Sequence, residues 1–291
     1  MARPVISLKA NKVEIFKKKR IDQLPLVFIS VLVFKRKNLN MTIENMGRKA
    51  IASVAQYFGT NVMEENLQMW LSLVKEAVER VADYNELDQE KCISMTESLE
   101  NNFVKTLRNT AKENNIWISI VTTYRKLFMF EGYISGGTNT FEGDRITLWP
   151  SITEPIDSPV GKLGLAICHD VRYPELAFVL SAMGAQGIGY SSACLEKTES
   201  AQWEVLMRER AIETQTYVYA SNQIGYHRPG IEYYRDVMVV DSWETITARC
   251  SKSNVPMTAT AEIDLGFFDT IRKKLPVYNL KRLNIFKSTW Q

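Results

Sequence analysis

The chain has 291 residues, 45% hydrophobic, 24% charged and 10% aromatic. That is ordinary globular composition, and it excludes a collagen-like, low-complexity or wholly disordered protein. The net charge of +3 conceals a split: residues 1–37 hold ten Lys/Arg and two acids, giving +8, while the other 254 residues sum to −5. A mildly acidic body gives no support to nucleic-acid binding.

In chain order, the first feature is the basic arm. Within it Leu24 to Phe34 (LPLVFISVLVF) is an apolar run of 11 residues with Lys/Arg on both sides. A spanning helix needs about 20 residues, so membrane contact of residues 24–34 is not favoured. The run is read as a buried or edge strand or a leader, with a targeting segment, mitochondrial or other, as the competing reading. Residues 1–47 are thus an N-terminal extension, 48–286 one domain without a Gly/Pro/Ser linker, and 287–291 a tail.

Arg48 to Gln56 reads as a short buried strand. Glu64 to Val81 has apolar residues at Leu67, Leu71, Val74, Ala77, Val78 and Val81, which is helical spacing. Glu97 to Asn114 suits a second amphipathic helix, and Ile116 to Val121 a strand. Thr122 to Pro150, with four glycines, reads as a long loop. Lys162 to Ile167 is a buried strand running into Cys168, Pro174 to Ala185 a helix, Gln186 to Ser192 a strand and Gln202 to Gln215 a helix. Strands are expected over Tyr217 to Ile224, Asp236 to Asp241, Thr245 to Cys250 and Met257 to Ile263. A short basic helix, Phe267 to Leu275, stops at Pro276. Early strands alternate with helices and late strands follow one another. That pattern predicts an α/β layered domain with stacked sheets and helices outside.

The four cysteines, Cys92, Cys168, Cys194 and Cys250, form no CxxC pair, and the histidines are His169 and His227 alone. No structural zinc site is expected, and the thiols suit a reducing, cytoplasmic compartment.

The informative segment is Gly161 to Leu176, GKLGLAICHDVRYPEL. An apolar strand ends at Cys168, polar His169 and Asp170 follow, and Pro174 opens a helix, where its missing N–H costs nothing. A nucleophile on such a turn projects from the sheet edge, beside backbone N–H groups able to stabilise an oxyanion. A Cys168–His169 pair in the papain manner is disfavoured, because adjacent residues at a turn point in different directions.

These residues resemble the nucleophile motif of the carbon–nitrogen hydrolases, the nitrilase superfamily. QWEVLMRERAIETQ (202–215), TYVYASNQIGYH (216–227), VMVVDSWETITARCS (237–251) and DLGFFDTIRKKLPV (264–277) are similar to later family blocks in the same order. The wording AIETQ, MVVDSW and TARCS most resembles the deaminated glutathione amidase branch. The resemblance implies a four-layer α-β-β-α sandwich, an amidase acting on the carboxamide of a small ω-amide through a Cys thioester, and no cofactor or metal. It also implies a homodimer or larger homo-oligomer. It implies Cys168 as nucleophile, Lys126 in the Tyr-Arg-Lys block (124–126) as stabiliser of the tetrahedral intermediate, and Glu142 as the second, supporting carboxylate. An anionic substrate needs a cationic contact, for which Arg172 is the candidate.

The sequence also departs from the family. No match to the strand that carries the family's general-base Glu follows the first helix, so the sandwich is expected to lack one or more strands. Glu86 is the nearest carboxylate. Gln202 stands for a His, Cys194 for an aromatic, Glu244 for a turn Gly, and Arg235, Asp236 and Val237 for Gly, His and Ser. The alternative is a catalytically impaired member of the fold acting as a binding or assembly partner, or an incomplete splice form or gene model.

Overall fold

The computed structural model describes residues 32–36, 49–57, 63–82, 102–114, 117–119, 126–132, 140–141, 151–228, 231–277 and 280. Glu86, Cys92, Glu142, residues 24–31 and the 287–291 tail lie outside the described residues.

The strands are β1 (Leu32–Arg36), β2 (Lys49–Tyr57), β3 (Trp117–Ser119), β4 (Glu131–Gly132), β5 (Thr140–Phe141), β6 (Ile156–Ser158) and β7 (Gly161–Ile167). They continue as β8 (Gly187–Ser192), β9 (Tyr217–Gln223), β10 (Gly225–Arg228), β11 (Ile231–Tyr233), β12 (Met238–Val240), β13 (Ile246–Arg249) and β14 (Met257–Asp264). The helices are α1 (Met63–Ala82), α2 (Asn102–Glu113), α3 (Pro174–Ala182), α4 (Glu196–Thr214) and α5 (Leu265–Lys274).

The strands run β3-β1-β2-β9-β8-β7-β6, with β14 on β2, and with β12 on β9 followed by β13. β7, β8 and β9 pair in parallel. β2 meets β9 in parallel only at Gln56↔Asn222 and Tyr57↔Gln223. That narrow seam divides the array into a β14-β2-β1-β3 half and a β6-β7-β8-β9-β12-β13 half.

The period of two along each strand sorts the core into layers. Leu163, Leu165 and Ile167 of β7 join Tyr217, Tyr219, Val237 and Val239 with Ala50, Ala52, Val54, Ala259, Ala261 and Ile263 in one cluster between the halves. The alternate residues Ala166, Ile188, Tyr190, Val218, Ala220, Met238 and Val240 pack instead with Leu176, Leu180, Trp203, Met207 and Ala211 of α3 and α4. Ala55 and Tyr57 of β2 pack with Leu67, Trp70, Leu73, Val74 and Ala77 of α1. Three apolar layers between helix, sheet, sheet and helix make the α-β-β-α sandwich.

The expected elements appear with small shifts at their ends. α4 is the largest difference, beginning at Glu196 rather than Gln202. β6 and the β10–β11 hairpin are strands that the sequence does not announce, and the loop 122–150 holds the short β4–β5 pair. β1 comes from the stretch read as an extension. It lies inside the sheet, antiparallel to β2 (Val33↔Ser53) and to β3 (Val33↔Ile118). β2 and β3 are the described strands flanking α1 and α2, and β1 fills the single slot between them.

Local chemistry fixes the element ends. Asp264 caps α5 by accepting N–H bonds from Gly266 (2.8 Å) and Phe267 (3.0 Å). Arg272, Lys273 and Lys274 sit at its opposite, negative end. Gly187 on β8 has to be glycine, because a Cβ there would stand 2.5 Å from Cε2 of Tyr219.

Candidate active site

β7 ends at Ile167 and gives way to one turn of 3-10 helix, Cys168–Arg172, before α3 starts at Pro174. Cys168 has φ +49°. Few non-glycine residues adopt a positive φ, and such backbone strain concentrates at functional sites. Cys168 is partly buried, and its thiol lies 3.9 Å from that of Cys194.

Asp170, fully buried, organises the turn. Its Oδ2 accepts the Ile167 N–H at 2.9 Å, and its Oδ1 accepts the Phe128 N–H at 3.0 Å. The second bond ties residues 126–130 to the Cys168 turn. Phe128 stacks on Tyr173 with centroids 3.7 Å apart, and Phe130 sets its ring edge-on to His169 at 5.3 Å. Leu127 packs against both core clusters that Cys168 also touches. Lys126, 3% exposed, heads this segment two residues before the Asp170 bond. The structure thus brings the Lys126 segment onto the Cys168 turn, through a residue that the sequence reading passed over as part of the motif. His169 belongs to an aromatic group: its Nε2 lies 3.5 Å from the Tyr173 hydroxyl.

Arg172 points toward α4. One guanidinium nitrogen donates to Glu199 Oε1 at 2.5 Å and another to Gln202 Oε1 at 2.7 Å. This ion pair, with Glu199 almost wholly buried, fixes the turn against the helix. Buried Arg210 adds a bond from Nε to the Val171 carbonyl (2.9 Å) and pairs with Glu213. Glu199 Oε2 is buried without a hydrogen-bond partner among the described residues. Glu142 and Glu86 lie outside those residues.

Cys194 follows the C-terminal end of β8. Burial pushes its thiol well above the usual range, and the neighbouring Cys168 thiol and the Glu199 charge push the same way. Its position is fixed from two sides. The Cys194 N–H donates to Asn222 Oδ1 (3.1 Å), and its carbonyl accepts the Tyr234 N–H (2.7 Å). Among the departures from the family pattern, Glu244 occupies the turn with φ +68°, the region that favours glycine. Asp236 is buried and paired with Arg249 (2.6 Å). Among the described residues no group of three His, Cys, Asp or Glu is placed to hold a metal ion.

The layered α-β-β-α sandwich carries a cysteine at positive φ where a central strand turns into a helix. The sequence profile of the carbon-nitrogen hydrolase family matches residues 119–273, and the chain belongs to that family. It is 33% identical over 274 residues to the deaminated glutathione amidase of Bos taurus, covering 81% of this chain and 83% of that one. The Homo sapiens protein of the same name is 31% identical over 274 residues, with the same coverage, 81% of this chain and 83% of the relative. Among solved structures, the Caenorhabditis elegans NitFhit protein aligns with a TM-score of 0.68 at 29% identity, over 81% of this chain and 66% of that chain.

Proposed function

We propose that this protein is an amidase that hydrolyses the carboxamide of a small ω-amide, of the deaminated glutathione kind, through a thioester on Cys168. The observation that carries the reading is Cys168 itself, held at positive φ on the strand-to-helix turn and joined to the Lys126 segment through Asp170. The names of the bovine and human relatives supply the substrate class.

In this mechanism Cys168 Sγ attacks the carboxamide carbon. Negative charge develops on the former carbonyl oxygen, and the Lys126 ammonium, with backbone N–H groups of the turn, stabilises it. A carboxyl group takes the thiol proton and returns it to the leaving nitrogen as ammonia departs. Water then attacks the thioester, releasing the carboxylic acid and restoring the thiol. Glu142 is assigned the supporting carboxylate, and Glu86 is the nearest carboxylate in sequence for the proton transfers. Arg172 is the candidate contact for a substrate carboxylate. Guanidinium has five N–H donors, and the bonds to Glu199 and Gln202 use two of them. No organic cofactor or metal enters the scheme, and the working form is assigned as a homodimer or larger homo-oligomer in a reducing, cytoplasmic compartment. Among the described residues no helix is long and apolar enough to cross a membrane.

The test is acylation and turnover. Incubation with an ω-amide of a dicarboxylate should release ammonia and leave an acyl adduct on the peptide containing Cys168, visible by mass spectrometry. Cys168→Ala should lose both, with turnover down by roughly 10³-fold or more. Neither adduct nor ammonia from the unaltered chain would refute the amidase assignment.

A further inference from the structure

The mechanism uses one of two thiols that stand side by side. We propose that Cys168 and Cys194 form a peroxide-responsive dithiol site, in which Cys168 is oxidised first and Cys194 resolves it into a reversible disulfide. The effect on turnover rests on the assignment of Cys168 as nucleophile; the cross-link itself does not.

The geometry follows from the sheet. β7 and β8 are parallel neighbours with Ile167 opposite Ser191. Their C-terminal ends therefore emerge together, and Cys168 and Cys194 follow one and three residues beyond that pair. The sulfurs are 3.9 Å apart, so a bond of about 2.05 Å requires them to close by about 1.9 Å. Cys194 is anchored through Asn222 and Tyr234, whose carbonyl in turn accepts from Asn222 Nδ2 at 2.9 Å. Cys168 is partly buried, and Cys194 is buried more deeply, at 6% exposed. In this proposal a small peroxide meets the less buried Cys168 first, while burial keeps the Cys194 thiol protonated. A cysteine poised beside a second, resolving cysteine is an arrangement found at redox-sensing sites.

The chemistry balances with a peroxide as oxidant. The Cys168 sulfur attacks one peroxide oxygen, an S–O bond forms as the O–O bond breaks, and hydroxide leaves to take up a proton as water. Cys168 is now a sulfenic acid, oxidised by two electrons. Cys194 Sγ attacks that sulfur, the S–O bond breaks, and the Cys194 proton leaves with the hydroxide as a second water. Two thiols and one hydrogen peroxide give one disulfide and two waters. A dithiol reductant restores both thiols. While the bond stands, Cys168 has no thiol or thiolate with which to attack a carboxamide, and it is shielded from irreversible oxidation to sulfinic and sulfonic acids.

The experiment takes the full chain, reduces and desalts it, exposes it to hydrogen peroxide, blocks remaining thiols by alkylation and digests it with trypsin without reductant. Cys168 lies in peptide 163–172 and Cys194 in peptide 173–197, each with a single cysteine. The expected product is these two peptides joined, two hydrogens lighter than their sum, and separated by dithiothreitol. In Cys194→Ala no such species forms, and Cys168 is recovered as sulfinic or sulfonic acid. Recovery of Cys168 in the unaltered chain as sulfinic or sulfonic acid, as the alkylated thiol, or joined to Cys92 or Cys250 would overturn the proposal. The activity arm is separate. Dithiothreitol should return at least tenfold more ammonia release to the peroxide-treated chain than to treated Cys194→Ala. A cross-link in a chain that releases no ammonia before treatment supports the dithiol site and removes the amidase assignment alone.

Discussion

At the residue scale the decisive side chain beyond the thiols is Asp170. One carboxyl group holds two backbone N–H groups from segments 42 and 3 residues distant, Phe128 and Ile167. In Asp170→Asn one oxygen remains, and the amide nitrogen is forced against an N–H donor. A buried donor left without an acceptor costs about 1–3 kcal/mol, so chemical denaturation should show a loss of about 2 kcal/mol. Because the Lys126 segment is hung from the same carboxyl, kcat should fall at least tenfold while Cys168 still alkylates. Unchanged stability and kcat would count against the anchoring role. Cys250 offers a different test. Burial pushes its thiol up to about 12, against an unfolded value near 8.5. Between those values the unfolded chain loses a proton that the folded chain keeps, so stability is intact below about pH 8.5 and falls as pH rises. At about 1.4 kcal/mol per pH unit, the loss at pH 10 is at most about 2 kcal/mol. Cys250→Ala should show a shallower decline in urea midpoint from pH 8 to 10 than the unaltered chain; parallel declines would contradict the assignment.

At the element scale, the long buried strands are legible because period and composition agree. β7, β9 and β14 end within one residue of where the apolar runs place them. β6, β10 and β11 are not legible, being three or four residues long and defined by partners rather than by any run. The first turn of α4 escapes for a related reason: Glu196 to Ala201 presents little apolar face, and the turn is held by the Leu195 carbonyl accepting N–H bonds from Thr198 and Glu199. The Cys168 segment is plain in the sequence, whereas the approach of Cys194 to Cys168 depends on the β7–β8 register, a long-range fact. β1 is the instructive case. Its apolar, β-branched text announces a strand, but nothing local says which strands it joins. Flanked on both sides, β1 cannot accept proline without losing a ladder bond. Val33, opposite both Ser53 and Ile118, is the position to alter. Val33→Pro should destabilise the fold by about 3 kcal/mol or more, read as a lowered urea midpoint. A variant as stable as the unaltered chain would remove β1 from the slot between β2 and β3.

At the scale of the whole molecule, the question is whether two half-arrays joined by a narrow strand seam behave as one body. The β2–β9 ladder contributes two residue pairs, reinforced by the Ile224 N–H to the Tyr57 carbonyl (2.9 Å) and by Gln223 Nε2 to the Tyr57 hydroxyl (3.3 Å). A few hydrogen bonds, each worth about 1 kcal/mol net, would not couple halves of this size. The cluster between the sheets does, because its members come from both: Ala50, Ala52, Val54, Ala259 and Ile263 from one side, and Leu163, Leu165, Ile167, Tyr217 and Val239 from the other. Leu165, 4% exposed on β7, sits in that layer. Leu165→Ala removes buried methyl groups at a cost of about 2–5 kcal/mol. If the inter-sheet core is the coupling element, native-state hydrogen exchange should show protection falling by a similar free energy in β2 and β14 as in β7 and β8. Loss confined to β7 and β8, with β2 and β14 unchanged, would mean that the halves open independently. The Cys168 turn would then be supported by its own sheet and α3–α4 layer alone, not by the second sheet behind it.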